Sequence, residues 1–118
     1  MTLSDRLDEL RHAVPGCKLA SFGDLSTGLA LRTSASSLYK QDYLEEVLRQ
    51  ASRSFSLSDL MTDDNELAVV ATPDEVRIFV RSKAANSDVI CCVCETVSDI
   101  PLVAQSARRI LTEMARAA

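Results

Sequence analysis

Residues 67–81 read Leu-Ala-Val-Val-Ala-Thr-Pro-Asp-Glu-Val-Arg-Ile-Phe-Val-Arg, and residues 88–97 read Asp-Val-Ile-Cys-Cys-Val-Cys-Glu-Thr-Val. β-Branched and aromatic residues fill the runs, while Pro73, Asp74, Asn86 and Ser87 fill the breaks and favour turns. Three strands in series are expected, at about 67–72, 76–82 and 88–97. The last is apolar at six consecutive positions, Val89 to Cys94. Strand side chains alternate between faces, so such a run suits a strand covered on both sides. A lone hairpin cannot bury it, and helices are therefore expected on both faces of the sheet.

The 118 residues fit one domain, 1–118, with a core built from Leu, Val, Ile, Ala and Cys, because Trp is absent and aromatics are scarce. A net charge of −4 repels phosphate backbones, and no basic run or aromatic-interleaved basic patch occurs. Nucleic acid is not an expected partner. The first ten residues carry acids where a signal peptide needs a basic head and an apolar core. No apolar run approaches the roughly 20 residues that span a bilayer. The expectation is a soluble, cytoplasmic protein without membrane insertion.

Upstream of the three strands, Leu3, Leu7, Leu10 and Val14 fall at helical spacing, started by Thr2 with Asp5 or by Ser4, and stopped by Pro15 and Gly16. Cys17 to Phe22 and Leu29 to Thr33 read as a hairpin pair around Gly-Asp-Leu-Ser-Thr-Gly (23–28), whose glycines accept positive φ. That loop is not a phosphate cradle, because Leu29 and Ala30 stand where Lys-Ser/Thr is required. Ser34, Ser36 and Ser37 mark a connection to a helix from Leu38 or Asp42 to Phe55. Its stripe Leu44, Leu48, Ala51 and Phe55 is widened by Tyr39, Tyr43 and Val47, an arc broader than one sheet contact needs. The second stripe is either further core or a surface for another chain, since tyrosine is enriched at interfaces. Residues 56–66 read as a solvated loop. Asp63, Asp64, Asn65 and Glu66 in it lack calcium-loop spacing.

Within strand 76–82, Val76, Ile78 and Val80 share one face, and Arg77, Phe79 and Arg81 the other. The arginines are read as a rim whose stems cover apolar surface, with a partner-binding strip as the alternative. A last helix, capped by Ser98 or Asp99 with Pro101 in its first turn, presents Ile100, Val103, Ala104, Ala107, Ile110, Leu111, Met114 and Ala118. Cys17, Cys91, Cys92 and Cys94 are expected as reduced core residues rather than metal ligands, since alternation splits Cys91 from Cys92 and Cys94. His12 is the sole histidine, and no G-x-S-x-G elbow surrounds any serine. The adjacent carboxylates Glu45–Glu46 and Asp63–Asp64 read as solvated. Neither catalysis nor a cofactor or metal is expected.

The order helix, strand, strand, helix, three strands, helix resembles the roadblock/dynein light chain superfamily over nearly the whole chain. The matching residues are Gly16 before the first strand, Asp24…Gly28-Leu29-Ala30-Leu31, the Val-Val-Ala-Thr-Pro-Asp-Glu-Val-Arg-Ile run, and Val-Cys-Glu-Thr-Val-Ser-Asp-Ile-Pro-Leu. Cys17-Lys18-Leu19 departs from that family's small-residue run, and the first hairpin loop is slightly longer. The resemblance implies an α+β fold: a five-stranded antiparallel sheet with the middle helix on one face and both terminal helices on the other. It also implies a homodimer, or a dimer with a paralogous chain, made through the third strand and the middle helix. Tyr39, Tyr43, Val47, Leu67, Val69 and Ala71 would then lie at the interface. Such proteins regulate or scaffold small Ras-like GTPases, or act as adaptors on motors and membranes, without a cofactor. Two other classes stay open, an acidic secretion chaperone binding an export client and a sensory domain holding a small ligand.

Overall fold

The structure, a computed structural model, describes residues 2–61, 66–83, 85 and 87–117. In chain order it contains α1 (Leu3–Ala13), β1 (Cys17–Asp24), β2 (Leu29–Ala35), α2 (Gln41–Asp59), β3 (Leu67–Ala71), β4 (Val76–Arg81), β5 (Asp88–Cys94) and α3 (Ile100–Ala117). The strands form one antiparallel sheet in the order β2-β1-β5-β4-β3. β5 is thus the middle strand, and Val89 to Cys94 are all buried, as the unbroken apolar run requires.

Two cores sit on opposite faces of that strand. On one, Leu7, Leu10 and Val14 and then Val103, Ala107, Ile110 and Leu111 pack α1 and α3 over Ile78, Val80, Ile90 and Cys92. On the other, Leu44, Val47, Leu48, Ala51 and Phe55 pack α2 over Leu19, Phe79, Val89, Cys91 and Val93. Each fully buried side chain of this kind contributes about 2 kcal/mol of transfer free energy. The expected α+β class and helix placement are therefore present.

Local chemistry sets the element ends. Thr2 Oγ1 accepts from the Asp5 amide at 3.2 Å and Asp5 Oδ2 accepts from the Thr2 amide at 3.1 Å, a reciprocal cap that starts α1. Asp99 Oδ1 accepts from the Leu102 amide at 3.1 Å and starts α3. Gly16 turns the chain into β1 with φ 85°, a conformation glycine takes without Cβ strain.

Several boundaries differ from those expected. β1 runs on to Asp24 and β2 to Ala35, so Ser34 is a buried strand residue rather than a connector. Its hydroxyl donates to Asp8 and accepts from Arg11 Nε at 2.9 Å, and α1 thereby holds β2. Gly23 has no positive φ; it sits in the ladder beside an irregularity at Phe22/Gly23, where a Cβ would meet Leu29 O at 3.0 Å and Leu48 at 3.1 Å. β5 stops at Cys94 instead of Val97, because Glu95 N donates to Gly16 O and Ser98 N to Glu95 O, closing a turn. α2 continues to Asp59, past the expected end at Phe55. Asp63, Asp64 and Asn65, weighed as calcium ligands, lie outside the described residues, as does Ala118.

Candidate interaction surface

β3 closes one end of the sheet, and its ladder with β4 fixes which groups are left open. Arg81 N donates to Glu66 O at 2.7 Å and Thr72 N to Glu75 O at 2.9 Å. Hydrogen-bonded pairs alternate along an antiparallel ladder, so Glu66, Ala68, Val70 and Thr72 turn their main-chain groups toward β4. Leu67, Val69 and Ala71 therefore turn both N–H and C=O to the open edge. Their side chains lie on the α1/α3 face opposite Val80, Ile78 and Val76, yet Leu67 remains 39% and Val69 41% exposed. An edge that apolar, with free donors and acceptors, is a template for another strand.

α2 borders the same edge on the opposite face, where Ala68, Val70, Tyr39 and Tyr43 fringe the core. Arg77 of β4 fixes this flank. It pairs with Glu75 at 2.9 Å, donates to Gln50 Oε1 at 2.8 Å and stands 5.6 Å from the Tyr43 ring centroid. Tyr39 stacks on Tyr43 with ring centroids 5.2 Å apart. Partial burial, then the nearby Glu75 carboxylate, push the Tyr43 phenol above its ordinary value, so it stays neutral at neutral pH.

Arg81 forks Asp59 at 2.7 and 3.0 Å and lies 4.5 Å over the Phe55 ring. Hydrogen bonds from Arg81 hold the Asp59 carboxyl below the usual carboxylate range. Phe79, between the two arginines, is fully buried. The arginine stems cover apolar surface, which is the rim geometry.

The candidate residues thus divide. Tyr39 and Tyr43 are half-buried on the outer flank of α2, and Leu67, Val69 and Ala71 line the open edge. Val47, 1% exposed, packs wholly into the core beneath α2. Sequence reasoning missed Leu57 and Met61, assigned to a loop but standing on or just past the last turn of α2, 67% and 88% exposed. Positions 43, 50 and 57 are seven apart and share one line on a helix, and 39 and 61 flank its ends. That spacing was readable, but Ser54, Ser56 and Ser58 masked it.

The cysteines stay inside the protein. Cys91 lies under α2, where burial pushes its thiol up to about 12. Cys17, Cys92 and Cys94 share the opposite core, an arrangement unexpected from alternation along β5 alone, because Cys17 enters from β1 opposite Cys94. Hydrogen bonds from the Cys92 and Cys94 thiols hold Cys17 below its ordinary value; hydrogen bonding to Cys17, reinforced by burial, raises the other two. Among the described residues no group of His, Cys, Asp or Glu is arranged to hold a metal. His12 is exposed at the end of α1 beside Arg11. No helix among them is long and apolar enough to cross a membrane.

No family model matches the chain, and no curated protein matches it either. Solved structures do. A Roadblock/LC7 domain from Streptomyces avermitilis superposes with a TM-score of 0.80 at 15% identity, covering 99% of this chain and 98% of that one. MglC from Myxococcus xanthus gives 0.72 at 11% identity, with 100% of each chain covered. MglB with a tetrameric arrangement gives 0.76 at 16% identity, covering 97% and 85%. In element order, sheet order and superposition along its length, this chain has the fold of a Roadblock/LC7 domain.

Proposed function

We propose that this chain is a non-catalytic dimeric module, working in the cytoplasm, that regulates or scaffolds a small Ras-like GTPase or serves as an adaptor. The observation that carries this reading is the open β3 edge lying beside a flank of α2 on which Leu57 and Met61 are exposed. A two-fold axis near Gln50 would run α2 antiparallel to its copy. Tyr43 then meets Leu57 of the second copy, and Tyr39 meets Met61, because each pair is equidistant from position 50. Isologous contact of this kind makes every pair occur twice. Leu67, Val69 and Ala71 would pair with the same residues of the copy and extend the sheet to ten strands. A paralogous chain with the same pattern would serve as well.

The GTPase connection rests on the fold. The test is direct binding to a small Ras-like GTPase from the same genome, loaded with GDP or with a slowly hydrolysed GTP analogue. Binding that differs between the nucleotide states is expected. Binding of neither form would overturn the GTPase reading, while the dimer is judged separately by its mass. The secretion-chaperone alternative is disfavoured because two strands, not three, precede α2.

A further inference from the structure

The end of β4 and the C-terminal half of α3 border a half-open cavity of about 380 Å³, on the opposite face of the sheet from α2. Leu111 and Ala115 give it an apolar wall, and Lys83, Arg108 and Arg116 bring cations to it. Among the described residues Glu66 is the one acid lining it, and its carboxylate spans two of those cations, Lys83 at 2.9 Å and Arg108 at 3.2 Å. Arg81 also reaches the wall, with its guanidinium engaged by Asp59. Setting that pair aside, three cations face one carboxylate among the described lining residues, in a chain whose net charge is −4. A helix-end cation is ordinary for Arg116, since it suits the dipole. It does not account for Arg108, two turns earlier, nor for an apolar wall left unfilled.

We propose that this cavity binds a small amphipathic anion, with a carboxylate or phosphate head toward Arg108 and Arg116 and an apolar body against Leu111 and Ala115. Guanidinium groups match such heads with paired N–H donors. The volume lies near the lower end of ligand pockets, about 300–1,000 Å³, and suits a short-chain acid better than a nucleotide. The Thr112 hydroxyl donates to Arg108 O at 2.9 Å and holds the helix rather than the ligand. The site lies on the α3 face beside the start of β3, away from the outer flank of α2.

The test is amide-resolved NMR titration of the full chain with octanoate, hexyl phosphate, octyl glucoside and inorganic phosphate. Saturable shifts at Leu111, Thr112 and Ala115 are expected for the first two probes. The Lys83→Gln/Arg116→Gln double variant, altered only at exposed positions, should keep its far-UV circular dichroism and bind them about tenfold more weakly. Equal binding of octyl glucoside would remove the role of charge, and equal binding of inorganic phosphate the role of the apolar wall. No saturable shift, or unchanged affinity in the double variant, would overturn the site.

Discussion

Arg77 Nη1 donates to Gln50 Oε1 at 2.8 Å, tying β4 to the midpoint of the outer flank of α2. With the Tyr43 ring 5.6 Å from the same guanidinium, the flank is held as a rigid face and not as a loose row of side chains. Rigidity matters because side chains already ordered lose less entropy when a partner docks.

Truncating that face should weaken association without unfolding the protomer. Tyr43→Ala and Leu57→Asp are each expected to weaken the dimer by about 2 kcal/mol, the scale of a central interface anchor. Far-UV circular dichroism should be unchanged, since Leu57 is 67% exposed and Tyr43 only fringes the core. Sedimentation velocity across a dilution series measures the shift, and equal dissociation constants in wild type and variants would count against the register through Gln50.

Two glycines differ in why they are needed. Gly28 has φ 73° with open space around its Cα, so Gly28→Ala should cost about 1 kcal/mol from backbone strain alone. Gly16 has φ 85°, and a Cβ there would stand 2.6 Å from Ser98 Oγ and 3.2 Å from Glu95. Gly16→Ala should therefore cost more than Gly28→Ala, and urea denaturation midpoints would rank them.

Asp88 stands opposite Asp24 across β1 and β5, and burial followed by that neighbouring charge raises its carboxyl above the ordinary value. A carboxyl raised in the folded state contributes stability while protonated, and that contribution is lost as pH rises through the folded value. Asp88→Asn should therefore stabilise the protein at neutral pH by about 0.5 kcal/mol, the scale of a like-charge cross-strand pair. The gain should vanish in acid below the carboxylate range. Asp5, Asp24 and Asp59 run the other way. Hydrogen bonds from Thr2, Ser26 and Arg81 lower them, so their contributions fade as pH falls through those depressed values. Thermal melts of both proteins against pH check the signs.

Thiol chemistry should follow burial. Only a thiolate is alkylated readily, and Cys91 is both raised to about 12 and enclosed under α2. Iodoacetamide on the native protein should label Cys17 first and slowly, with Cys91, Cys92 and Cys94 labelled after unfolding. Peptide mass spectrometry over time reads this directly, and early labelling of Cys91 would mean that the α2 layer opens.

The fold was legible where pattern and burial agree. Val89 to Cys94 required a covered strand, and the alternation Val76, Ile78, Val80 against Phe79 matches the two cores. Element ends were less legible because long-range hydrogen bonds set them. Glu95 to Gly16 stops β5, and the Asp8–Ser34–Arg11 bonds extend β2, and neither partner is near in sequence. The open edge at Leu67, Val69 and Ala71 was anticipated from the resemblance, whereas its main-chain orientation needed the β3–β4 register. The stripe of Val47 read equally as core or as interface, because periodicity does not say how far a helix sinks into the sheet, and Val47 is buried beneath α2. The pocket of Glu66, Lys83, Arg108 and Arg116 had no sequence signature, since it joins residues from three parts of the chain.

Sedimentation equilibrium of the full chain, beside Val69→Lys, asks whether the β3 edge joins two copies. A lysine on the open edge of β3 blocks strand addition while leaving the sheet of the protomer intact. A mass about twice the 12.9 kDa protomer is expected for the wild type at micromolar concentration, and the protomer mass for Val69→Lys. A wild type that stays at 12.9 kDa up to high micromolar concentration, or a Val69→Lys variant that associates equally well, would contradict pairing through that edge.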